Sequence, residues 1–429
     1  MKRTAGSQVA KDGRFAGSGR NYSLWNLRRR GRLTSMQRES EEDVTLFAKT
    51  NFRGEGKPFG IKQKDRRSHM YVIGKTGTGK TTLLETMIRQ DIEAGRGVAL
   101  LDPHGDLVER VVAHIPRERK GDLIYFNVPD PSLAIGFNPL ERVPPLKRPL
   151  AASGLLEVFK KIWSDSWGPR LEYILRNAFL ALLEQEQATL ADVLRLLSDV
   201  GFREEAAKRV VNERVRDFWL REYEAYPKNF RLEAISPIQN KVGAFLSNPT
   251  LNRILTVPKS SFDLRKAIDE GKILLVNLAK GRIGEDSAQL LGSLLVARLG
   301  LAALSRADVP EIERHDFFLY LDEFQTFSTL SLANMLSELR KYRLNMILAH
   351  QYLSQLDDKL KDAILGNVGT IVSFRVGPED AEILAKEFYP TFAVSDLMSL
   401  PNYHIYLKLM IDGAESRPFS GETIRAGSG

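Results

Sequence analysis

The sequence predicts an α/β fold with a mainly parallel central sheet and an inserted all-α domain. Three observations lead to this prediction. A glycine-rich loop joins an apolar strand to a helix at residues 71–94, short apolar strands alternate with helices in two parts of the chain, and the part between them, residues 146–255, is almost wholly helical. Alternating strands and helices are typical of a parallel sheet covered by helices on both faces.

Composition excludes several classes of protein. The chain has 429 residues, 43% of them hydrophobic, and no cysteine, so disulfides, thiolate metal sites and cysteine nucleophiles are excluded. The longest apolar run, residues 290–304, is interrupted by Arg298 and is shorter than the roughly 20 residues that a membrane-spanning helix needs. The N-terminus lacks the apolar core of a secretory signal. We therefore expect a soluble, cytoplasmic protein with no transmembrane insertion.

The net charge of +8 is concentrated at the N-terminus. Residues 1–40 hold ten Lys/Arg and two acidic residues, and the remaining 389 residues carry equal numbers of each sign. Glycine, serine, Tyr22 and Trp25 lie between the basic residues. We expect residues 1–45 to form a basic arm that is disordered in isolation and suited to a polyanion such as DNA. A solubilising or vestigial extension is the alternative.

The first α/β segment alternates strictly. Apolar strands at 71–73, 97–102 and 122–128 are separated by helices at 80–94 and 107–115. This β-α-β-α-β run is typical of nucleotide-binding α/β domains.

The helical segment and the second α/β segment follow. In residues 169–185 apolar side chains recur at helical spacing and form one stripe, with Pro169 suited to the first turn. Strands resume after residue 255, so we predict one α/β domain made of residues 46–145 and 256–429, with an all-α domain at 146–255 inserted in it. The further strands are predicted at 272–281, 316–324, 345–351 and 369–377, the further helices at 285–305, 330–342 and 353–364, and a hairpin turn at Asp412–Gly413.

The loop from Gly74 to Thr81 matches the phosphate-binding pattern G-x-x-x-x-G-K-S/T at every fixed position. Its glycines let backbone N–H groups point at phosphate oxygens, and the following helix directs its positive end at the same charge. We expect Lys80 to reach the β and γ phosphates and the Thr81 hydroxyl to bind Mg²⁺, so ATP and Mg²⁺ are the predicted ligands. The residues predicted to hold the nucleotide are Gly74, Thr76, Gly77, Thr78, Gly79, Lys80, Thr81 and Thr82.

Two carboxylates end the apolar strand "FFLYLDEF". Burial of a carboxylate at the end of a strand is unfavourable in free energy unless the group is paired or binds a cation. We expect Asp322 to hold the water shell of Mg²⁺ and Glu323 to polarise the attacking water. A glutamate at this position favours a hydrolase over a kinase, which would need a site for an acceptor hydroxyl.

Polar residues end each later strand of the predicted sheet. Because ligands bind at the carboxyl ends of strands in open parallel sheets, these residues should line one edge. Gln351 is the candidate sensor of the γ-phosphate or of the hydrolytic water. The residues predicted to share this edge are Asp102, Asn277, Asp322, Glu323 and Gln351.

The segment "DPHGD" allows two interpretations. Asp102, His104 and Asp106 have the residue types of metal ligands, but their spacing also suits a turn in which Asp106 caps the next helix. We favour the turn because the sequence offers no second cluster of ligands.

A hydrolase of this kind needs a cation that offsets charge on the transferred phosphoryl group. The candidates are Arg340, Arg343 and Arg375, and we favour Arg340. If a neighbouring subunit supplies it, the enzyme must form an oligomer.

Seven segments taken in order resemble the type IV secretion coupling proteins, which are conjugative DNA-transfer ATPases of the FtsK–HerA superfamily. The resemblance covers about residues 50 to 425 and implies a RecA-like P-loop NTPase motor, a ring-shaped homo-hexamer and ATP-driven movement of DNA through a central pore. It assigns Lys80 and Thr81 to phosphate and magnesium, Asp322 and Glu323 to hydrolysis, and Gln351 to sensing. It places Arg340 where such proteins can have an arginine that reaches the adjacent subunit. The segments are "SHMYVIGKTGTGKTTLL", "LLDPHGDL", "SWGPRLEYILRNAFLALLE", "LAKGRIGED", "LYLDEFQTF", "LRKYRLNMILAHQYLSQL" and "LGNVGTIVSFRVGPEDAEILA".

One departure concerns the membrane. Membrane-bound coupling proteins carry transmembrane helices ahead of the motor, and this sequence has a basic arm there. We expect a protein that docks on a membrane partner such as the secretion channel, or a soluble translocase. Lys280 and Arg282 in the loop "AKGRIG" are the candidate pore residues that contact DNA, with ordinary solvated charges as the alternative. One rival function is a nucleotide-gated adaptor that recruits a relaxase–DNA complex or an effector protein through the all-α domain without processive movement. A second is an ATPase that translocates protein.

Overall fold

The computed structural model describes residues 41–51, 56–133, 135–141 and 143–425. The predicted arm therefore lies outside the described residues up to residue 40. Strand β1 begins at Val44, inside the range predicted for the arm. From Glu41 onward the chain forms one compact unit.

The described residues contain thirteen strands. Eleven belong to one sheet, and the remaining two form a hairpin whose turn is at Asp412–Gly413, as predicted. The strands are β1 Val44–Thr50, β2 Pro58–Lys62, β3 Met70–Ile73, β4 Gly97–Asp102, β5 Leu123–Asn127, β6 Ile273–Asn277, β7 Phe317–Leu321, β8 Leu344–His350, β9 Thr370–Ser373, β10 His404–Lys408, β11 Met410–Ile411, β12 Ala414–Glu415 and β13 Phe419–Thr423.

The large sheet has the order β2-β1-β13-β10-β9-β3-β8-β7-β4-β6-β5. The strands from β9 to β5 run parallel, with β3 between β8 and β9. The strands β10, β13, β1 and β2 extend it antiparallel. The predicted mainly parallel sheet is confirmed, whereas the antiparallel strands β1 and β2 were not predicted.

The helices lie on both faces of this sheet. A π-helical segment, Phe218–Glu222, separates α8 from α9. The helices are α1 Gln63–Arg66, α2 Lys80–Glu93, α3 Asp106–Ala113, α4 Arg148–Ile162, α5 Pro169–Leu182, α6 Asp192–Ser198, α7 Val200–Arg209, α8 Glu213–Asp217, α9 Tyr223–Ala225, α10 Lys228–Ser247, α11 Pro249–Leu255, α12 Leu264–Asp269, α13 Lys280–Ile283, α14 Glu285–Leu304, α15 Leu330–Leu339, α16 Asp358–Leu365, α17 Pro378–Glu387 and α18 Val394–Ser399.

Each face of the sheet has its own hydrophobic core, because alternate residues of a strand point to opposite faces. In β4, Val98 and Leu100 join the core that contains α2 and α3. Ala99 and Leu101 join the core on the other face, which contains α14 and the helices between β5 and β6. Both sets are fully buried, which explains why these strands are continuous apolar runs in the sequence.

The helical segment is joined closely to the sheet. Its first helix, α4, packs against α14 and α15, and its apolar residues belong to the same core as one face of the sheet. The division of the chain into a motor and an inserted domain at 146–255 stays a prediction.

Helix α14 is the core helix of this face. With the turn that follows it to Asp308, it is long and apolar enough to cross a membrane by length and composition, but 78% of its most apolar window is buried inside the molecule. A helix that is apolar all round is expected when its surroundings are protein on every side. The apolar run at 290–304 is thereby explained by packing.

Candidate nucleotide-binding and hydrolysis site

The predicted phosphate loop joins the end of β3 to the start of α2, at the carboxyl edge of the parallel strands. Two of its glycines are required by sterics. A Cβ on Gly74 would come 2.5 Å from the Cβ of Phe374. Gly79 has a φ of +124°, and a Cβ there would come 2.9 Å from the ring of Tyr403. The loop can keep this conformation only with glycine at these positions.

The ammonium group of Lys80 lies under the loop. Its Nζ donates to the backbone oxygen of Gly74 at 2.5 Å and to that of Lys75 at 3.3 Å. The Thr78 hydroxyl donates to the same Lys75 oxygen at 2.7 Å. Burial lowers the pKa of Lys80, and the charges of Glu323 and Asp322 oppose this shift. Lys80, at the end of the loop, thus holds the backbone at the beginning of the loop through these two hydrogen bonds.

The loop offers unpaired donors to an anion. Among the described residues, the backbone N–H groups of Gly77, Gly79 and Thr81 have no hydrogen-bond acceptor, as expected at the start of a helix that lacks a side-chain cap. Thr76 is exposed at the tip of the loop, and Thr81 and Thr82 are partly exposed in the first turn of α2. This cradle of donors around a buried lysine fits the phosphates of a nucleotide.

Asp322 follows β7 directly and is buried. Its backbone N–H donates to the Leu101 oxygen at 3.2 Å, which fixes it beside β4. Burial raises the pKa of Asp322 to about 7, the negative charges of Asp102 and Glu323 add to the shift, and Lys80 opposes it. A divalent cation would stabilise the charged form of this buried carboxylate, on which the negative charges of Asp102 and Glu323 act.

Glu323 has a strained backbone and a fixed side chain. Its φ of +48° is in the left-handed region, which is uncommon for residues other than glycine and clusters at functional sites. Its Oε1 accepts from Gln351 Nε2 at 2.8 Å, and its Oε2 accepts from Gln325 Nε2 at 2.8 Å. The carboxylate is therefore held at a defined position by two amides.

Gln351 connects this carboxylate to the phosphate loop. It follows β8, and its Oε1 accepts from the hydroxyl of Thr76 at 2.9 Å. The same side chain donates to Glu323. A continuous chain of side-chain hydrogen bonds thus runs from Thr76 through Gln351 to Glu323, at the edge where polar strand ends were expected to meet.

Asp102 and Asn277 have local structural roles at this edge. The Asp102 carboxylate accepts from the backbone N–H groups of His104, Leu107 and Val108 at 2.8–3.2 Å, and Asn277 Oδ1 accepts from Ala279 N. The turn interpretation is thus correct, but the prediction that Asp106 caps α3 is wrong. Asp106 is itself the first residue of α3, and Asp102 binds the free N–H groups of that helix instead. The described residues include no cluster of three or more His, Cys, Asp or Glu suited to a metal ion.

The three candidate arginines lie in different places. Arg340 is exposed in the short turn Arg340–Tyr342 before β8, at the amino edge of the strands, opposite the phosphate loop of its own chain. Arg343 lies in the same region, 3.9 Å from Asp316. Arg375 follows β9 beside the loop, but its side chain donates to Leu400 and Asn402.

The candidate pore residues follow β6 at the carboxyl edge. Lys280 begins the short helix α13 and lies 3.7 Å from Glu285, whereas Arg282 is exposed. Two further residues at the site were not predicted. Gln325 lies two residues after Glu323, a spacing that could have indicated it. Lys161 lies 164 residues from its contact at Gln325, and no local pattern indicates it.

The fold and this site define a P-loop NTPase of the α/β class. A family model described as the central domain of helicase HerA matches residues 54–299, more than half of the chain. The protein therefore belongs to the HerA family, as its motifs predicted. A second model, described as the TraM recognition site of TraD and TraG, matches residues 316–388. A comparison with curated protein sequences yields no significant match.

Solved structures share the fold at low identity. The bacterial conjugative coupling protein TrwBΔN70, unbound, has a TM-score of 0.62 and 18% identity over 93% of this chain and 91% of that chain. TrwB in complex with the ATP analogue ADPNP has a TM-score of 0.61 and 19% identity, over 93% and 92%. VirB4 of Thermoanaerobacter pseudethanolicus has a TM-score of 0.61 and 13% identity, over 90% and 98%. The likeness extends over nearly the whole of each chain.

Proposed function

We propose that the protein is an ATP-dependent DNA translocase of the conjugative coupling-protein type, which hydrolyses ATP in an oligomeric ring and moves DNA through a central pore. The observation that carries the proposal is the position of Glu323. Two amides hold its carboxylate, and the charges of Glu323 and Asp322 act on Lys80 of the phosphate loop. A fixed carboxylate beside a phosphate cradle suits hydrolysis.

ATP and Mg²⁺ are the proposed ligands. The related coupling protein TrwB has been solved with the ATP analogue ADPNP and with ADP and Mg²⁺, and the cradle of this chain offers the donors that such phosphates need. We assign phosphate binding to the loop from Gly74 to Thr82 and magnesium binding to Thr81 and Asp322. Mg²⁺, when bound, would offset negative charge on the phosphates.

The chain's own groups would perform the hydrolytic step. Glu323 orients a water molecule and accepts its proton, because two amides fix its carboxylate and one of them also contacts the loop at Thr76. Gln351 aligns Glu323 with the loop through its two hydrogen bonds. Lys80 stabilises the charge that develops on the transferred phosphoryl group.

An arginine from a neighbouring subunit completes this proposal. Arg340 is exposed at the edge opposite to its own phosphate loop, so it cannot act on the nucleotide of its own chain but is free to act on that of another. This placement supports a ring, which we propose is a homo-hexamer.

DNA contact is assigned to two basic regions. Arg282 is exposed and Lys280 is partly exposed at the carboxyl edge, the edge of the sheet at which Glu323 and Gln351 also lie. Strand β4 lies between β6, which precedes these two residues, and β7, which precedes Glu323. The basic residues 1–40 supply the net charge of the chain and would bind the phosphate backbone without sequence preference.

We further propose a cytoplasmic protein that works with a relaxase or a secretion channel, peripheral to the membrane through that partner. The match of residues 316–388 to the TraM recognition site of TraD and TraG supports a partner of the DNA-processing machinery. The rival function, a nucleotide-gated adaptor, would use the same fold and nucleotide without movement.

Steady-state ATP turnover at low salt, with and without single- and double-stranded DNA of increasing length, tests the proposal. A translocase predicts turnover that rises with DNA and with its length up to a plateau. ATP turnover that none of these DNAs changes would favour the adaptor function and contradict the proposed translocase. The Lys80→Ala variant serves as the control for contaminating ATPases.

A further inference from the structure

A partly buried contact joins the helical segment to the turn that follows Glu323. Lys161, in the last turn of α4, donates from Nζ to the backbone oxygens of Gln325 at 2.5 Å, Thr326 at 3.1 Å and Ser328 at 2.8 Å. One ammonium group has three hydrogens, so these three acceptors use all of them. The acceptors lie two, three and five residues after Glu323 in the chain.

The contact bears on Glu323 through Gln325. The backbone oxygen of Gln325 is held by Lys161, and its side chain donates to Glu323 Oε2. Glu323 has a left-handed φ of +48° and immediately precedes the 3₁₀ turn Phe324–Thr326. Such a backbone persists only when its surroundings hold it, and Lys161 supplies three of the bonds that hold the next residues.

We propose that Lys161 is a positioning residue for ATP hydrolysis, through which the helical segment controls the carboxylate of Glu323. The inference rests on the proposed hydrolytic role of Glu323. It adds a route by which a shift of α4 changes turnover without contact with the nucleotide. A partner that docks on the helical segment could use this route.

The protonation state of Lys161 should affect the pH dependence of turnover. Burial lowers the pKa of Lys161 to about 8, and the charge of Asp357 opposes the shift. Above this pH the neutral amine has two hydrogens for three acceptors, so the turn loosens. Turnover should therefore fall as the pH rises through about 8. This descending limb of the pH–rate profile would reflect the loss of the proton from Lys161.

The test compares Lys161→Met with Lys160→Met, an exposed lysine on the same helix. We expect Lys161→Met to lower kcat by about 10- to 100-fold, to leave the Kd for ATP unchanged and to lose the limb near pH 8, while Lys160→Met behaves as the wild type. Hydrogen exchange of the peptide covering residues 324–328 should become faster in Lys161→Met alone.

Three results would overturn the inference: equal kcat in the two variants, a limb near pH 8 that persists in Lys161→Met, or unchanged exchange at residues 324–328. A wild type that binds ATP but never hydrolyses it would instead refute the proposed function. In that case the exchange measurement still decides whether Lys161 orders the turn.

Discussion

Gln351 and Glu323 are joined by a hydrogen bond of 2.8 Å from Nε2 to Oε1, and the other end of the same amide accepts from Thr76 of the phosphate loop. The amide of Gln351 thus connects the phosphate loop to the carboxylate that we propose acts in hydrolysis. A bound phosphate that displaces the Thr76 hydroxyl would break its hydrogen bond to Gln351 Oε1.

The Gln351 side chain, which bridges Thr76 and Glu323, leads to the first prediction. Gln351→Leu should lower kcat by about 100-fold and leave ATP binding within a factor of two, because orientation is lost while the cradle remains. Thr76→Ser, which keeps the hydroxyl, should retain wild-type turnover. Loss of ATP binding in Gln351→Leu would show that Gln351 belongs to the cradle instead.

Glu323→Gln should bind ATP normally and lose turnover by at least about 100-fold, since the amide keeps the shape of the carboxylate but cannot accept a proton. Nucleotide affinity and single-turnover hydrolysis measure the two effects separately. Glu338→Gln, at an exposed position on α15, is the control. Equal losses of binding and turnover would contradict the assigned role.

The buried His69 leads us to predict that the folded state becomes less stable at acidic pH. It is buried, its Nδ1 accepts from Met346 N and its Nε2 lies 2.9 Å from the Leu336 oxygen. Burial lowers the pKa of His69 to about 4. Because the folded pKa is depressed below the unfolded value of about 6.5, the unfolded chain binds more protons between these values, and stability falls as the pH falls through this window.

Urea denaturation at pH 7.5 and pH 5 measures this loss, which should reach about 1–2 kcal/mol from His69 at pH 5. His350 is buried and has a pKa lowered to about 3, so it adds loss of the same sign. The variant His69→Gln should show a smaller difference between the two pH values, and His104→Gln, at an exposed position, should match the wild type. Identical pH dependence in all three proteins would refute the assignment.

A buried ion pair beneath the phosphate-loop helix predicts a stability effect. Asp91 of α2 accepts from Arg66 at 2.6 and 2.8 Å, from Arg96 at 3.2 Å and from the Tyr320 hydroxyl at 2.5 Å. Asp91→Asn leaves a buried guanidinium without its counter-charge, so we expect unfolding to become easier by about 3–5 kcal/mol. Asp358→Asn, whose carboxylate is exposed beside Lys361, should leave the midpoint of the urea curve unchanged.

A wild-type midpoint in Asp91→Asn would contradict this account. The result matters for the site because α2 carries Lys80 at its first position, and Asp91 joins that helix to α1 and β7 through Arg66 and Tyr320.

Deletion of residues 1–40 should weaken DNA binding and flatten its dependence on salt. The segment has ten basic and two acidic residues, and each phosphate contact contributes about one unit to the slope of log K against log salt. Filter binding from 50 to 300 mM salt measures the slope. An unchanged slope would mean that these residues do not contact DNA.

Much of the fold was predictable because its signals are local. The strand Gly97–Asp102 and the start of α2 at Lys80 were predicted at their observed positions, since continuous apolar runs and the phosphate-loop pattern need no distant contacts. The carboxyl edge followed from the rule for parallel strands. The strands β1 and β2 were missed because the short β2 begins with a proline and neither has a clear alternating pattern.

The site was predictable to the same extent. Glu323 and Gln351 lie just after strands and could be named from the sequence, but the bond between them depends on the neighbouring positions of β7 and β8 in the sheet. Lys161 depends on the packing of a helix from another segment. The segment "DPHGD" was assigned correctly to a turn, but Asp106 was named as the cap, and only the geometry shows that Asp102 accepts from the helix N–H groups instead.

Movement along DNA is the central claim, and a displacement assay tests it most directly. ATP-dependent release of streptavidin from biotinylated single strands, and of a third strand from a triplex, would be followed against the distance from the loading site. We predict a lag that grows with distance on one of the two substrates and is abolished by Glu323→Gln. No release from either substrate, by protein that hydrolyses ATP, would contradict the account.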